Sequence, residues 1–242
     1  GTKFTGTFDG NGYVVDNFYI GRNSADYVGI FGYVDESSFV KNLGAENVDV
    51  TGDNKVGGLI GADFMSNIKN CHSTGTVNGT NDVGGLLGYN ELGTLETSYC
   101  HANVNAVDDA GGVIGDAEGG TISSSYGLGD VVSEDDTGGL IGHTRSSSVT
   151  NCYSLSDNIS SNGDSGGLIG ANLSDVSHCY SAVEIITGSS TGGIFGRYNS
   201  EYGSVDGCYW DNELGNENKD SGDGDLSNAF GVSTNEMMVE ST

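Results

Sequence analysis

The sequence predicts an all-β fold: a right-handed parallel β-helix (β-solenoid) of about seven rungs of ~27 residues. Three observations carry this. The first is a recurring block. Val56-Gly57-Gly58-Leu59-Ile60-Gly61 returns as Val83-Gly84-Gly85-Leu86-Leu87-Gly88 and again, with close variants, at 110–115, 137–142, 165–170 and 191–196. An earlier variant, Tyr27-Val28-Gly29-Ile30-Phe31-Gly32, keeps all but the first Gly, and the seven closing glycines are 29, 27, 27, 27, 28 and 26 residues apart. The second is an apolar column in phase with the blocks: Val40, Ile68, Leu95, Ile122, Val149, Val176 and Val205. The third is composition, with 42 Gly and no Pro in 242 residues. Abundant Gly belongs in turns, and Pro cannot donate to a strand ladder.

A constant period separates a solenoid from the other all-β folds. Sandwich strands do not repeat in sequence, and propeller blades need ~40–50 residues. Coiling one period into one rung brings like residues ~4.8 Å apart on neighbouring rungs, which explains why each column keeps its chemistry. Right-handedness follows from the crossover rule for parallel strands.

In chain order, one domain over residues 1–238 is expected, with a short tail at 239–242. Residues 1–20 form an N-terminal cap, in which Phe4–Ile20 blocks edge pairing. Residues 21–209 are the repeats. Each holds about three short β segments joined by Gly, Asn, Asp and Ser turns, without the 3.6-residue period of a helix. The Gly pairs mark corners where φ is positive or a Cβ would clash. The run Leu59-Ile60 breaks strict alternation, so which of the two points inward stays open. Three positions after the apolar column stand Leu43, Cys71, Ser98, Ser125, Cys152, Cys179 and Cys208, and the next positions give His72, Tyr99, Tyr126, Tyr153, Tyr180 and Tyr209. Residues 210–238 form a C-terminal cap.

Charge excludes several function classes. Asp and Glu number 34 against 8 Lys and Arg, a formal net charge of −26. Nucleic acid and anionic bilayers both require a basic surface. No apolar stretch is long enough to insert in a membrane. Acidic side chains spread over a folded core suit high salt, where counterions screen self-repulsion. The chain opens at Gly1 and is read as a segment of something longer.

These blocks resemble the GLUG-motif repeat family, named for a Gly-Leu-(aliphatic)-Gly core. The resemblance rests on the Gly-Gly-Leu-Ile-Gly blocks, on an entry segment at Phe4–Tyr13, and on a closing segment Cys208-Tyr209-Trp210-Asp211 with a Ser-Gly stretch and tail beyond it. It covers roughly residues 4–238. It implies a secreted or surface-attached bacterial or archaeal protein, and it transfers no catalytic residue.

Candidate sites are few. Asp82, Asp109, Asp136 and Asp164 stand three residues before the second Gly of four consecutive blocks, after Asp26 and Lys55 and before Ser190. Stacked at rung spacing, they either cap turns or bind Ca²⁺ or monovalent cations between rungs. Cys152 and Cys179 lie one rung apart, which suits a disulfide, a metal site or a buried small-apolar ladder. Ser98 and Ser125 in the same column favour the ladder. His72, His101, His143 and His178 share no column and no ligand spacing, so they are read as structural or surface residues. The Tyr column either lines a sugar-binding groove or packs as an edge ladder. The loop Asp211–Asp225 is acidic but lacks the EF-hand spacing. Asn78, Asn158 and Asn172 begin glycosylation triplets. Arg22, Arg145 and Arg197 lie in different rungs, too scattered for an active site on acidic polysaccharide. The chain is therefore expected to be no enzyme. It is read as a structural or adhesive module of an extracellular or cell-surface protein, with other copies of itself, other surface proteins or cell-surface glycans as partners. The alternatives are a carbohydrate-binding module and a polysaccharide-degrading β-helix.

Overall fold

A computed structural model of the chain describes residues 3–214, 220–222, 226 and 228–236. The described residues are nearly all β, with one helical turn at 234–236. Every strand pairing among them is parallel and joins consecutive rungs. One representative rung runs through strands Asn54–Gly57, Ile60–Phe64, Asn67–Lys69 and His72–Asn78. The six strands leading into the Gly pairs form a sheet of their own, and the other three sides share a second, continuous sheet.

The ladders expected from periodicity are in register. Val40, Ile68, Leu95, Ile122, Val149, Val176 and Val205 pair in succession, and Phe8 adds an eighth position beneath Val40. A second apolar ladder runs Ile20, Val50, Val77, Val104, Val131, Ile159 and Ile186. From Val50 and Val40 onward these side chains are almost wholly buried, so the core is one apolar column along the stack. Each rung completes its core only when the next covers it.

The corner block resolves the Leu59-Ile60 question: both side chains are fully buried, as are their counterparts up to Ile194 and Phe195. The chain bends between them. The Leu59 and Ile60 N–H groups both donate to Leu86 O of the next rung (3.1 and 3.0 Å), and the arrangement repeats at Leu86/Leu87 on Val113 O and at Leu140/Ile141 on Leu168 O. A bend rotates two successive side chains to the same side, which a straight strand cannot do. None of the paired glycines has positive φ. They are required by close approach: a Cβ on Gly58 would stand 2.5 Å from Gly85 O, and one on Gly61 2.6 Å from Gly32 O.

Positive φ is found elsewhere. Asn42, Asn70, Thr97, Ser124, Asn151 and His178 all lie between φ 50° and 53°, and Gly207 completes the column at 58°. Each immediately precedes the Cys/Ser column and turns the chain in the left-handed region, where Asn and Gly are least strained.

The ends extend the pattern. Thr7–Asp16 pairs in parallel with residues 39–46 of the strand Phe39–Thr51, with a register shift between Asp9 and Tyr13, so the segment expected as an N-terminal cap is itself an incomplete rung. At the other end Trp210 packs its ring where a Cβ on Gly193 would sit. Ala229–Val232 pairs with Cys208–Asp211 to form another partial rung. Residues 215–219, 223–225 and 237–242, hence most of the acidic loop and the short tail, lie outside the described residues.

Candidate cation site on the acidic corner

Two ladders meet at the Gly corner. The first is the acidic column, in register because Val83, Ala110, Thr137 and Ser165, the next residues along, pair rung to rung. The second begins just after each closing Gly and runs Tyr33, Ala62, Tyr89, Asp116, His143, Ala171 and Arg197. The bend turns both toward one strip of surface.

Basic side chains hold the two ends of the acidic column. Lys55 Nζ lies 2.9 Å from Asp82 Oδ2 and 3.2 Å from the centre of the Tyr89 ring. At the far end Arg197 bridges two rungs, with Nε 3.1 Å from Asp164 Oδ2 and Nη2 3.3 Å from Asp136 Oδ2. Ala171, one rung below Arg197 in the same ladder, leaves the lane that the guanidinium crosses. Asp82, Asp136 and Asp164 are thus ion-paired within the protein.

The middle of the column differs. Asp109 has no Lys or Arg ion pair among the described residues. Ligand atoms of Asp109, Asp116 and His143 lie within 4.8 Å of one another. His143 Nδ1 is 3.1 Å from Asp116 Oδ1, and the imidazole is nearly buried. Burial pushes the Asp109 carboxyl up to about 8; His143 opposes this, while Asp136, Asp116 and Asp108 add to it. Burial also raises Asp136 to about 7 against the pull of Arg197. His143 is lowered by burial but raised more by its Asp116 hydrogen bond and the surrounding carboxylates, so it ends above its ordinary value. Asp116 and His143 escaped the sequence reading, which took His143 as a structural or surface residue. Their signal was present: each follows its column Asp by seven positions, directly after a closing Gly.

At the block nearest the N-terminus the column shifts. Val28 bridges to Val56, so Tyr27 rather than Asp26 lies beside Lys55. Asp26 instead accepts a 2.8 Å hydrogen bond from Asn54 Nδ2.

The Cys/Ser column is a buried small-residue ladder within the core, and it is hydrogen-bonded as well. All five thiols are free and buried. Ser98 Oγ and Ser125 Oγ donate to carbonyls two residues back at 2.9 Å, and Cys152 and Cys179 place their thiols on the equivalent carbonyls at 3.3 and 3.2 Å. The same side chains accept a backbone N–H from the preceding rung: Cys71 N–H on Ser98 Oγ at 3.1 Å, and Cys152 N–H on Cys179 Sγ at 3.4 Å. Thiol and hydroxyl interchange in the column because either is a small donor and acceptor.

His72, Tyr99, Tyr126, Tyr153 and Tyr180 stack with centroids 4.6–5.1 Å apart and planes within 6°. Each ring face inside the stack is covered by the next ring, leaving edges and hydroxyls outward. A sugar stacking on an aromatic needs a free face. Among the glycosylation triplets, Asn172 is corrected. It is buried, its Nδ2 donating to Ser174 O and its Oδ1 accepting the Ser174 N–H, so the folded rung has no room for a glycan there. Asn78 and Asn158 are half-exposed. At the start of the acidic loop, Asp211 is buried and caps a turn by accepting the Glu213 N–H at 2.9 Å.

A family model described as the GLUG motif matches residues 52–78, one complete corner block with the strands that follow it. The chain carries the GLUG motif there, and the registers repeat that rung along the stack. Halomucin of Haloquadratum walsbyi is 40% identical over 74 residues, 31% of this chain and 1% of that protein. A candidate Gly-rich membrane protein of Evansella cellulosilytica is 42% identical over 41 residues, 17% of this chain and 5% of that protein. The chain thus matches only a small part of the length of either relative. A solved structure from Bacteroides ovatus, of a protein proposed to be an immunoglobulin A1 protease, superposes with a TM-score of 0.62 at 19% identity, over 95% of this chain and 70% of that one. At this identity the likeness concerns the fold alone. Among the described residues no helix is long and apolar enough to cross a membrane.

Proposed function

We propose that the chain is a rigid, non-catalytic spacer or display module within an extracellular or cell-surface repeat protein, adapted to high salt. The observation that carries this reading is the unbroken core: in-register ladders run from Phe8 to Val205, so the module behaves as a short rod whose outer positions vary freely. The excess of 34 acidic over 8 basic residues keeps that rod hydrated and apart from its neighbours where salt screens the repulsion. The matches to halomucin and to a candidate membrane protein, each a small part of a longer chain, support a surface setting. Glycan binding along the aromatic ladder is the weaker reading, because the ring faces are spent on one another.

The test is antibody labelling of intact and permeabilised cells that produce the full-length protein, together with turnover assays of the purified segment on a polysaccharide and peptide panel. Label on intact cells and no turnover are expected. Label only after permeabilisation, or saturable turnover, would overturn the proposal.

A further inference from the structure

We propose that Asp109, Asp116 and His143 bind one divalent first-row transition ion of the Zn²⁺ class, clipping two adjacent rungs together at the corner. Geometry is the first argument. Three ligand atoms from different positions already lie within 4.8 Å of one another. Tetrahedral ligands bound at ~2.0–2.2 Å to one ion are ~3.3–3.6 Å apart. The His143–Asp116 pair at 3.1 Å already stands near that spacing, and the remaining contacts close by at most ~1.5 Å. The ligands span two rungs: Asp109 and Asp116 flank the corner of one, and His143 pairs with Asp116 from the next.

Charge is the second argument. Lys55 answers the column at one end and Arg197 at the other, but Asp109 between them has no Lys or Arg ion pair among the described residues. The basic group that acts on Asp109 is His143, itself one of the three ligands. Donor chemistry then selects the ion. One imidazole nitrogen with two carboxylate oxygens suits Zn²⁺ or Mn²⁺, whereas Ca²⁺ takes six to eight oxygens. This differs from carboxylates stacked along the column, which would favour hard ions, and it does not depend on the function proposed above. Three protein ligands leave a position for water.

The experiment is calorimetric titration of the folded chain with ZnCl₂ and, separately, CaCl₂ in about 1 M NaCl, which screens diffuse attraction to the acidic surface. Co²⁺ serves as an absorbance probe of nitrogen and oxygen ligation. Expected are one Zn²⁺ site per chain, binding on the order of a hundredfold tighter than Ca²⁺, and loss of most affinity in Asp109→Asn and His143→Gln. Asp109→Asn is the informative variant, because that side chain makes no ion pair whose loss would unfold the rung. Its metal-free melting temperature should match or exceed the parent's. Absence of Zn²⁺ binding, equal Zn²⁺ and Ca²⁺ affinity, or Zn²⁺ binding and Co²⁺ bands unchanged in both variants would each overturn the site.

Discussion

Replacing Asp63 by Asn should remove a large part of the pH dependence of stability. Asp63 is fully buried inside the solenoid, next to Asn90 on the following rung. Its Oδ2 accepts a 2.8 Å hydrogen bond from Ser66 Oγ, while Oδ1 and both polar atoms of the Asn90 amide have no partner. Burial raises the carboxyl from 3.8 to about 7; Ser66 pulls it back through side chain and backbone, and the Asn90 amide does so from close by without completing a hydrogen bond. The charge of Glu91 raises it further. A rise from 3.8 to about 7 corresponds to ~4 kcal/mol. Between those values the native state holds a proton that the unfolded chain has released. Stability contributed by Asp63 is therefore full below about pH 4, falls as pH rises to about 7, and is level above that. Asp109 and Asp136 are raised as well and add slope of the same sign, so the comparison must be between parent and variant. Asp63→Asn keeps the shape, keeps an acceptor for Ser66 and cannot ionise. Urea denaturation in about 1 M NaCl should show the variant within ~1 kcal/mol of the parent near pH 4.5 and more stable by ~3 kcal/mol near pH 8.5. Parallel pH profiles for the two proteins would refute the reasoning, since they would mean that Asp63 ionises in the native state at its ordinary pH.

Three further perturbations test the architecture. Thr97 is a β-branched residue held at φ 53° in a column otherwise containing Asn, Ser, His and Gly, so Thr97→Asn should stabilise by ~1 kcal/mol and raise the melting temperature by a few degrees; no rise would argue against the left-handed turn. Gly111→Ala should be among the most damaging single substitutions, above ~3 kcal/mol, because the added Cβ meets Ile114 O and stands 2.7 Å from Gly142 N although φ is not positive; a mild effect by denaturation would show that the corner can open. Cys179→Ser should be tolerated within ~1 kcal/mol, whereas Cys179→Val should cost ~1–3 kcal/mol by leaving the buried Cys152 N–H unpaired; equal effects in thermal melts would return the column to a purely apolar role.

The period of the chain alone determined the fold. A rung pairs in register with the next, so positions ~27 residues apart become neighbours, and their chemistry can be read as columns without knowing which way any side chain points. The Val/Ile/Leu, Cys/Ser and Tyr columns were legible for that reason. What the period could not supply is everything that depends on the angle between the sides of a rung. Leu59 and Ile60 both face the core because the chain bends between them, and that bend is set by backbone contacts that only Gly permits. The same bend turns the Asp109 ladder toward the Asp116 and His143 ladder, which a linear reading keeps seven residues apart. Arg197 reaches Asp136, 61 residues earlier, only because it crosses over Ala171. Asp63 is buried because Gly93 leaves the space that its carboxyl fills. Columns follow from one-dimensional repetition; faces, partners and burial follow from how the corners fold the rung around its core.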